Sequence, residues 1–212
     1  MIGVLVGLLA GAAMVRLLLR ATAPLLSSQP LLRTNHRGAQ LPGSTGVLVP
    51  LAALLASGLM ALGSLYPSAG GRAEVLLVTL GFAALGFFDD VAGGPGVRGL
   101  RGHLRAMARG RLTTGGVKFL GGIALALIVA RSIDGPVGPL RLLADGAVVA
   151  LSANLANALD LAPGRALKVA CVAYLPLAAV AGAGPGGLAL APVAGAAFGL
   201  LPDDLGERLM LG

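Results

Sequence analysis

Tryptophan is absent from the 212 residues, and aromatic side chains make up only 3% of them. The usual indole belt at a membrane interface is therefore missing, and Tyr66 and Tyr174 are the only tyrosines. Charge is scarce as well: Asp, Glu, Lys and Arg together reach 12%, half the share found in soluble domains. With 56% hydrophobic residues and a mean hydropathy of +0.88, that shortage excludes an ordinary water-soluble globule. The single cysteine, Cys171, has no partner for an internal disulfide or a metal site and sits in an apolar block, where it reads as a packing residue. Lys and Arg outnumber Asp and Glu sixteen to nine, giving a net charge of +7. A basic balance can signal nucleic acid. Here the charges lie between apolar blocks, which points to membrane topology and anionic headgroups instead, and no nucleic-acid partner is expected.

What the chain has in quantity is apolar runs long enough to cross a bilayer, which takes about 20 residues per helix. Seven spans are predicted, at roughly residues 1–19, 46–66, 74–90, 114–131, 144–160, 166–183 and 186–202. Pro50, Pro176 and Pro192 fall inside them, as bundled membrane helices allow because neighbours re-satisfy the freed backbone groups. The 34 glycines and the many alanines permit close helix approach. The first run is not a signal peptide, since its positive charges, Arg16 and Arg20, follow the apolar stretch rather than precede it. The predicted fold class is therefore all-α: a polytopic integral membrane helix bundle of about seven transmembrane helices, one domain over residues 1–212.

Sidedness follows from the basic residues. Thirteen of them lie in or beside the odd-numbered connections and the tail, against three (Arg72, Arg131, Arg141) in the even ones. By the positive-inside rule the odd connections are cytoplasmic and the N-terminus faces out. Four polar clusters then share the cytoplasmic face: "NHRGAQLPGSTG" in the first connection, Asp89 and Asp90 ending the third span, "NLANALD" ending the fifth, and "LPDDLGER" after the seventh.

Each cluster carries chemistry. Adjacent carboxylates repel one another and oppose the helix macrodipole, so Asp89 and Asp90 do not serve the helix they end. Acids at membrane depth are functional by default, and oxygen ligands of this kind suit Mg²⁺, which takes one or two carboxylates plus phosphate oxygens. Asn154, Asn157 and Asp160, spaced by three, lie within about 120° of each other on a helix, as a binding face or as interhelical hydrogen-bonding glue. Asn35, Arg37 and Gly38 stand in a Gly- and Pro-punctuated loop able to offer backbone N–H groups and a guanidinium to phosphate, with His36 reading as a solvated neighbour. Arg98, Arg101, Arg105 and Arg109 share one helical face, with Leu100, Leu104 and Met107 on the other. That is a basic amphipathic helix in the interface, for lipid anchoring or for substrate binding. G-x-G-x-x-G occurs at Gly94–Gly99 and Gly182–Gly187, but neither follows a strand, so neither signals a dinucleotide.

Taken in order, these motifs resemble the polyprenyl-phosphate N-acetylhexosamine-1-phosphate transferases, the membrane family that includes the peptidoglycan translocase and the GlcNAc-1-phosphate transferases. The order is N-x-R-G…P…G, then G-F-x-D-D at a helix end, a basic loop leading to Lys118, and N-x-x-N-x-x-D. The resemblance implies transfer of a sugar-1-phosphate from a UDP-sugar to a polyprenyl phosphate, with Mg²⁺ required, at the cytoplasmic face of the plasma (inner) membrane in envelope glycan synthesis. It implies Asp89, Asp90 and Asp160 as catalytic and metal residues. Asn35, Arg37, Gly38, Lys118, Asn154, Asn157 and Arg165 would bind substrate, membrane lipids would surround the bundle, and a homodimer is compatible. Three departures stand out. "DLAPGRALK" replaces the family's D-G-x-D-G-L, no Lys follows shortly after the Asp pair, and "ERLMLG" ends where the family's M-G-D step would supply an aspartate. The resemblance thus implies the N-terminal two-thirds of an enzyme, inactive or nearly so by itself. Competing readings are a degenerate, non-catalytic membrane scaffold and an ion or small-solute transporter bundle. The transporter reading expects mid-membrane ionisable residues in two matching halves, and these acids gather at one face.

Overall fold

The computed structural model describes residues 1–29, 31–63, 71–93 and 99–212, apart from the side chain of Leu100. Tyr66 and the end of the second predicted span, Arg98, and most of the first G-x-G-x-x-G lie outside the described residues. The remainder is helical apart from one small hairpin. The helices are α1 (Ile2–Leu26), α2 (Leu48–Leu62), α3 (Arg72–Ala92), α4 (Gly99–Ala108), α5 (Thr114–Asp134), α6 (Pro139–Leu159), α7 (Arg165–Ala181) and α8 (Pro185–Leu205). The chain is an all-α polytopic bundle.

Among the described residues six helices are long and apolar enough to cross a membrane: α1, α2 with its leading turn, α3, α5, α6 and α8. The sixth predicted span, 166–183, corresponds in place to α7, whose 17 residues rise about 26 Å, at the short limit for a crossing. The outward faces fit a lipid solvent. Leu5, Leu9 and Leu17 on α1, Leu151 and Leu155 on α6, and Val172 and Leu175 on α7 are all exposed. Several helices outrun their predicted ends. Helix α1 continues past Arg20 to Leu26, and α6 begins at Pro139, where a missing N–H is harmless.

The core is a seam between α1, α2 and α8. Val15, Ala52, Ala196 and Leu200 are fully buried there. Gly7 and Gly11 on α1 face Ala191, Pro192 and Ala196, while Gly195 and Gly199 on α8 face Leu8 and Ala12. A Cβ on Gly11 would strike the Pro192 carbonyl, and one on Gly195 the Leu8 carbonyl. Each helix thus presents a small-x-x-x-small pair to the backbone of the other, the arrangement that lets membrane helices gain dispersion contacts without large side chains. The ion pair of Arg16 with Asp203 closes the polar end of this seam, and Arg208 approaches the same carboxylate at 3.4 Å.

The hairpin joins α1 to α2. Strands β1 (Leu32–Thr34) and β2 (Gln40–Pro42) pair antiparallel, with Arg33 opposite Leu41. The tail after α8 folds back on the following turn. Thr45 N–H donates to Met210 O, Gly46 N–H to Leu211 O, and Met210 N–H to Pro42 O. These bonds carry Gly212 into the midst of the polar ends of α3 and α6.

Candidate functional site

Helix α3 ends at Ala92 with both aspartates in its last turn, and neighbouring elements treat the two differently. The Asp89 carboxylate lies 3.6 Å from Lys118 Nζ. Lys118 also donates to Asn157 Oδ1 at 3.3 Å, so one cation ties α3, α5 and α6 together. Its position is set one turn earlier, where Thr113 caps α5: its Oγ1 accepts from Gly116 N–H and contacts His103 Nδ1 at 2.8 Å. The Asp90 carboxylate instead accepts a 2.7 Å hydrogen bond from the Ser44 hydroxyl, and its backbone carbonyl accepts from Arg33 at 2.6 Å. Ser44 is buried and holds a left-handed backbone (φ 54°, ψ 24°), a strained state for a residue with a Cβ and one that clusters at functional positions.

Asp160 caps the C-terminus of α6 and looks toward the same place. Burial pushes its carboxyl up to about 6, the negative charges of Asp204 and Asp90 push the same way, and Arg165 and a hydrogen bond from the Gly212 backbone only partly offset them. Arg165 Nε meanwhile donates 2.8 Å to Leu159 O, satisfying an orphan carbonyl at the end of α6. Asp204, on α8, is 4% exposed, and one of its carboxylate oxygens has no hydrogen-bond partner. Acids from α3, α6 and α8 therefore crowd one end of the bundle.

From that end a groove of about 560 Å³ runs between α3 and α6. Its mouth holds Ser44, Asp90, Lys118 and Asn157, with Gly212 alongside. Its walls are apolar: Val78, Phe82, Ala83 and Phe87 from α3, and Val148, Val149, Ala153 and Ala156 from α6. Thr79 turns its hydroxyl to Val75 O, so it adds only a methyl group to the wall. From Asp90 to Val78 is twelve residues of helix, about 18 Å. Gly86 faces open space within the groove, in contrast with the glycines of the α1–α8 seam.

The predicted site residues fall into two groups. Asp89, Asp90, Asp160, Lys118, Asn157 and Arg165 come together at the mouth or beside it. Asn154, exposed on α6, does not line the groove. Asn35, Arg37 and Gly38 build the hairpin turn instead. Asn35 Oδ1 accepts from the Arg37 and Ala39 N–H groups at 3.0 and 2.8 Å, Gly38 supplies a φ of +81°, and Arg37 pairs with Glu207 at 3.0 Å. Among the described residues no three of His, Cys, Asp and Glu stand close enough to hold a metal ion by themselves. Asp89 is turned to Lys118, whereas Asp160 meets the opposing charge of Asp204 first and that of Asp90 second. Sequence reasoning noticed "LPDDLGER" without assigning Asp204 a place, and missed Ser44 and Arg33. An aspartate pair two residues from the end of an apolar run was a usable signal, whereas the contacts of Ser44 were not readable from spacing. No protein-family model matches this chain, and no curated protein matches it either.

Proposed function

We propose that the protein transfers a sugar-1-phosphate from a UDP-N-acetylhexosamine-type donor to a polyprenyl phosphate at one face of a membrane. The observation carrying this reading is the groove: an apolar channel of lipid-chain dimensions that ends at a mixed mouth of Asp90, Lys118 and Asn157. A prenyl chain would lie against Val78, Phe82, Val149 and Ala153, with its phosphate at Lys118. Transfer of this kind needs in-line positioning and charge neutralisation more than covalent help from the protein. The repulsion between Asp90 and Asp160 fits a hard divalent cation that takes one or two carboxylates and completes its shell with water and phosphate oxygens. Bound there, Mg²⁺ would neutralise the phosphate charge of both substrates. Ser44 fixes the Asp90 carboxylate, and Lys118 holds Asp89 and Asn157 at the mouth. The cytoplasmic orientation drawn from the basic residues belongs to the same proposal, since the nucleotide donor is a cytosolic compound.

Binding of undecaprenyl phosphate to the purified chain tests this. It should exceed binding of undecaprenol by at least tenfold, and Lys118→Gln should erase the difference. Transfer is read as radiolabelled sugar phosphate entering lipid in membranes from cells expressing the full-length gene, and Asp90→Asn there should abolish it. Equal binding of alcohol and phosphate, or label transfer unaffected by Asp90→Asn, would overturn the assignment.

A further inference from the structure

Helix α4 settles onto the first turn of α5 through one face only. His103 lies against Gly115, and Met107 Sδ sits 3.3 Å from where a Cβ of Gly116 would be. Gly102, His103, Ala106 and Met107 are the half-buried positions. This differs from the sequence expectation of leucines and Met107 together opposite the arginines. Leu104 is exposed, beside Arg101 and Arg105 on the outward face, and the connection to α5 adds exposed Arg109, Arg111 and Leu112. The apolar side of the helix is consumed by α5, so what remains outward is a surface of arginines with leucines between them.

Three observations identify what covers that surface. Among the described residues none of Arg101, Arg105, Arg109 and Arg111 has a carboxylate partner, whereas Arg16, Arg37, Arg141 and Arg208 all do. None of the four lines the groove, so they do not serve the substrate phosphate there. And α4 packs on the opening turn of a bilayer-length helix, which puts the arginines at the depth where headgroups lie. We infer that the outward face of α4 and the α4–α5 connection dock on the acidic phospholipid headgroups of the surrounding bilayer, with Leu104 and Leu112 entering the acyl boundary. Guanidinium groups match phosphate oxygens in bidentate geometry, and the unbalanced positive charge lowers the energy of anionic headgroups over zwitterionic ones. The inference stands whether or not the bundle is a transferase.

The test uses the full chain in bicelles of mixed phosphatidylcholine and phosphatidylglycerol, with the retained lipid counted by mass spectrometry. Phosphatidylglycerol should be enriched around the native protein, and the enrichment should fall as salt is raised. Replacing Arg101, Arg105, Arg109 and Arg111 by Gln should reduce the preference about tenfold or more. Replacing all four by Lys should keep most of it, and Arg131→Gln, at the far end of α5, should leave it unchanged. Circular dichroism confirms that the variants remain helical. Absence of phosphatidylglycerol enrichment around the native chain, enrichment indifferent to salt, or equal loss in the Lys and Gln sets would overturn the inference.

Discussion

Glycine does opposite things in two regions of this bundle. In the α1–α8 seam, Gly11 and Gly195 let backbone meet backbone, and the surrounding Val15, Ala196 and Leu200 are sealed from solvent. Along α3, Gly86 faces a void, and no residue of that helix is fully buried. One half of the molecule is packed to the limit; the other is held apart by Lys118, by the α3–α5 contact and by the tail, leaving a channel. Small residues alone therefore do not specify a tight interface. They do so in the α1–α8 seam, where each helix meets the backbone of the other, and not along α3, although α6 also turns Ala153 and Ala156 to the groove.

Enlarging the seam glycines should have the greatest effect. Gly195→Leu forces a side chain into the Leu8 carbonyl, and neither backbone can withdraw. A loss of about 3 kcal/mol or more is expected, measured by denaturant unfolding in detergent. Gly86→Leu, the same substitution in the other region, should leave that unfolding curve unchanged while weakening undecaprenyl phosphate binding about tenfold, or 1.4 kcal/mol. Equal destabilisation by the two would erase the contrast between seam and groove.

Protonation sharpens the comparison at the mouth. The Asp160 carboxyl titrates near 6 when folded and at its ordinary 3.8 when unfolded. The folded state thus holds the extra proton between those values. The stabilising contribution is complete below 3.8 and is lost as pH rises through 6. Asp160→Asn should remove that slope and make the protein more stable than wild type at neutral pH, while cation affinity of the wild type should fall as pH drops below 6. Unfolding measured across pH 4 to 7, with and without Mg²⁺, reads both.

The smallest effect concerns Ser44. Ser44→Ala removes the donor to Asp90 and should cost about 1 kcal/mol. Ser44→Gly also removes it but relieves the left-handed backbone, so its stability should stay near wild type. Both should impair transfer alike; a Gly variant with full activity would show that the hydroxyl does not position Asp90.

Much of this architecture was legible in advance. Long apolar runs without charges admit only helices at membrane depth, so the positions of the helices followed directly, and the shared end of Asp89, Asp90, Asn157 and Asp160 followed from counting arginines. The small-x-x-x-small pairs at Gly7–Gly11 and Gly195–Gly199 were also there to be read, but with 34 glycines only packing distinguishes a seam from a spacer. The loop reading failed to separate roles. Asn35 and Arg37 looked like phosphate ligands, yet Glu207, 170 or more residues away, claims both. A side chain's partner across such a separation has no signature in local pattern.

By itself, then, the amino-acid order determined that the chain partitions into a bilayer as helices and that its polar residues collect at their ends, because hydropathy and the hydrogen-bonding needs of the backbone act locally. Only the tertiary structure decided that Asp89 pairs with Lys118 while Asp90 pairs with Ser44, that Asp204 joins the acids, and that α4 turns its arginines outward. Those outcomes depend on which helices approach closely enough to touch, and that is fixed by side-chain volumes meeting across distant segments rather than by any one of them.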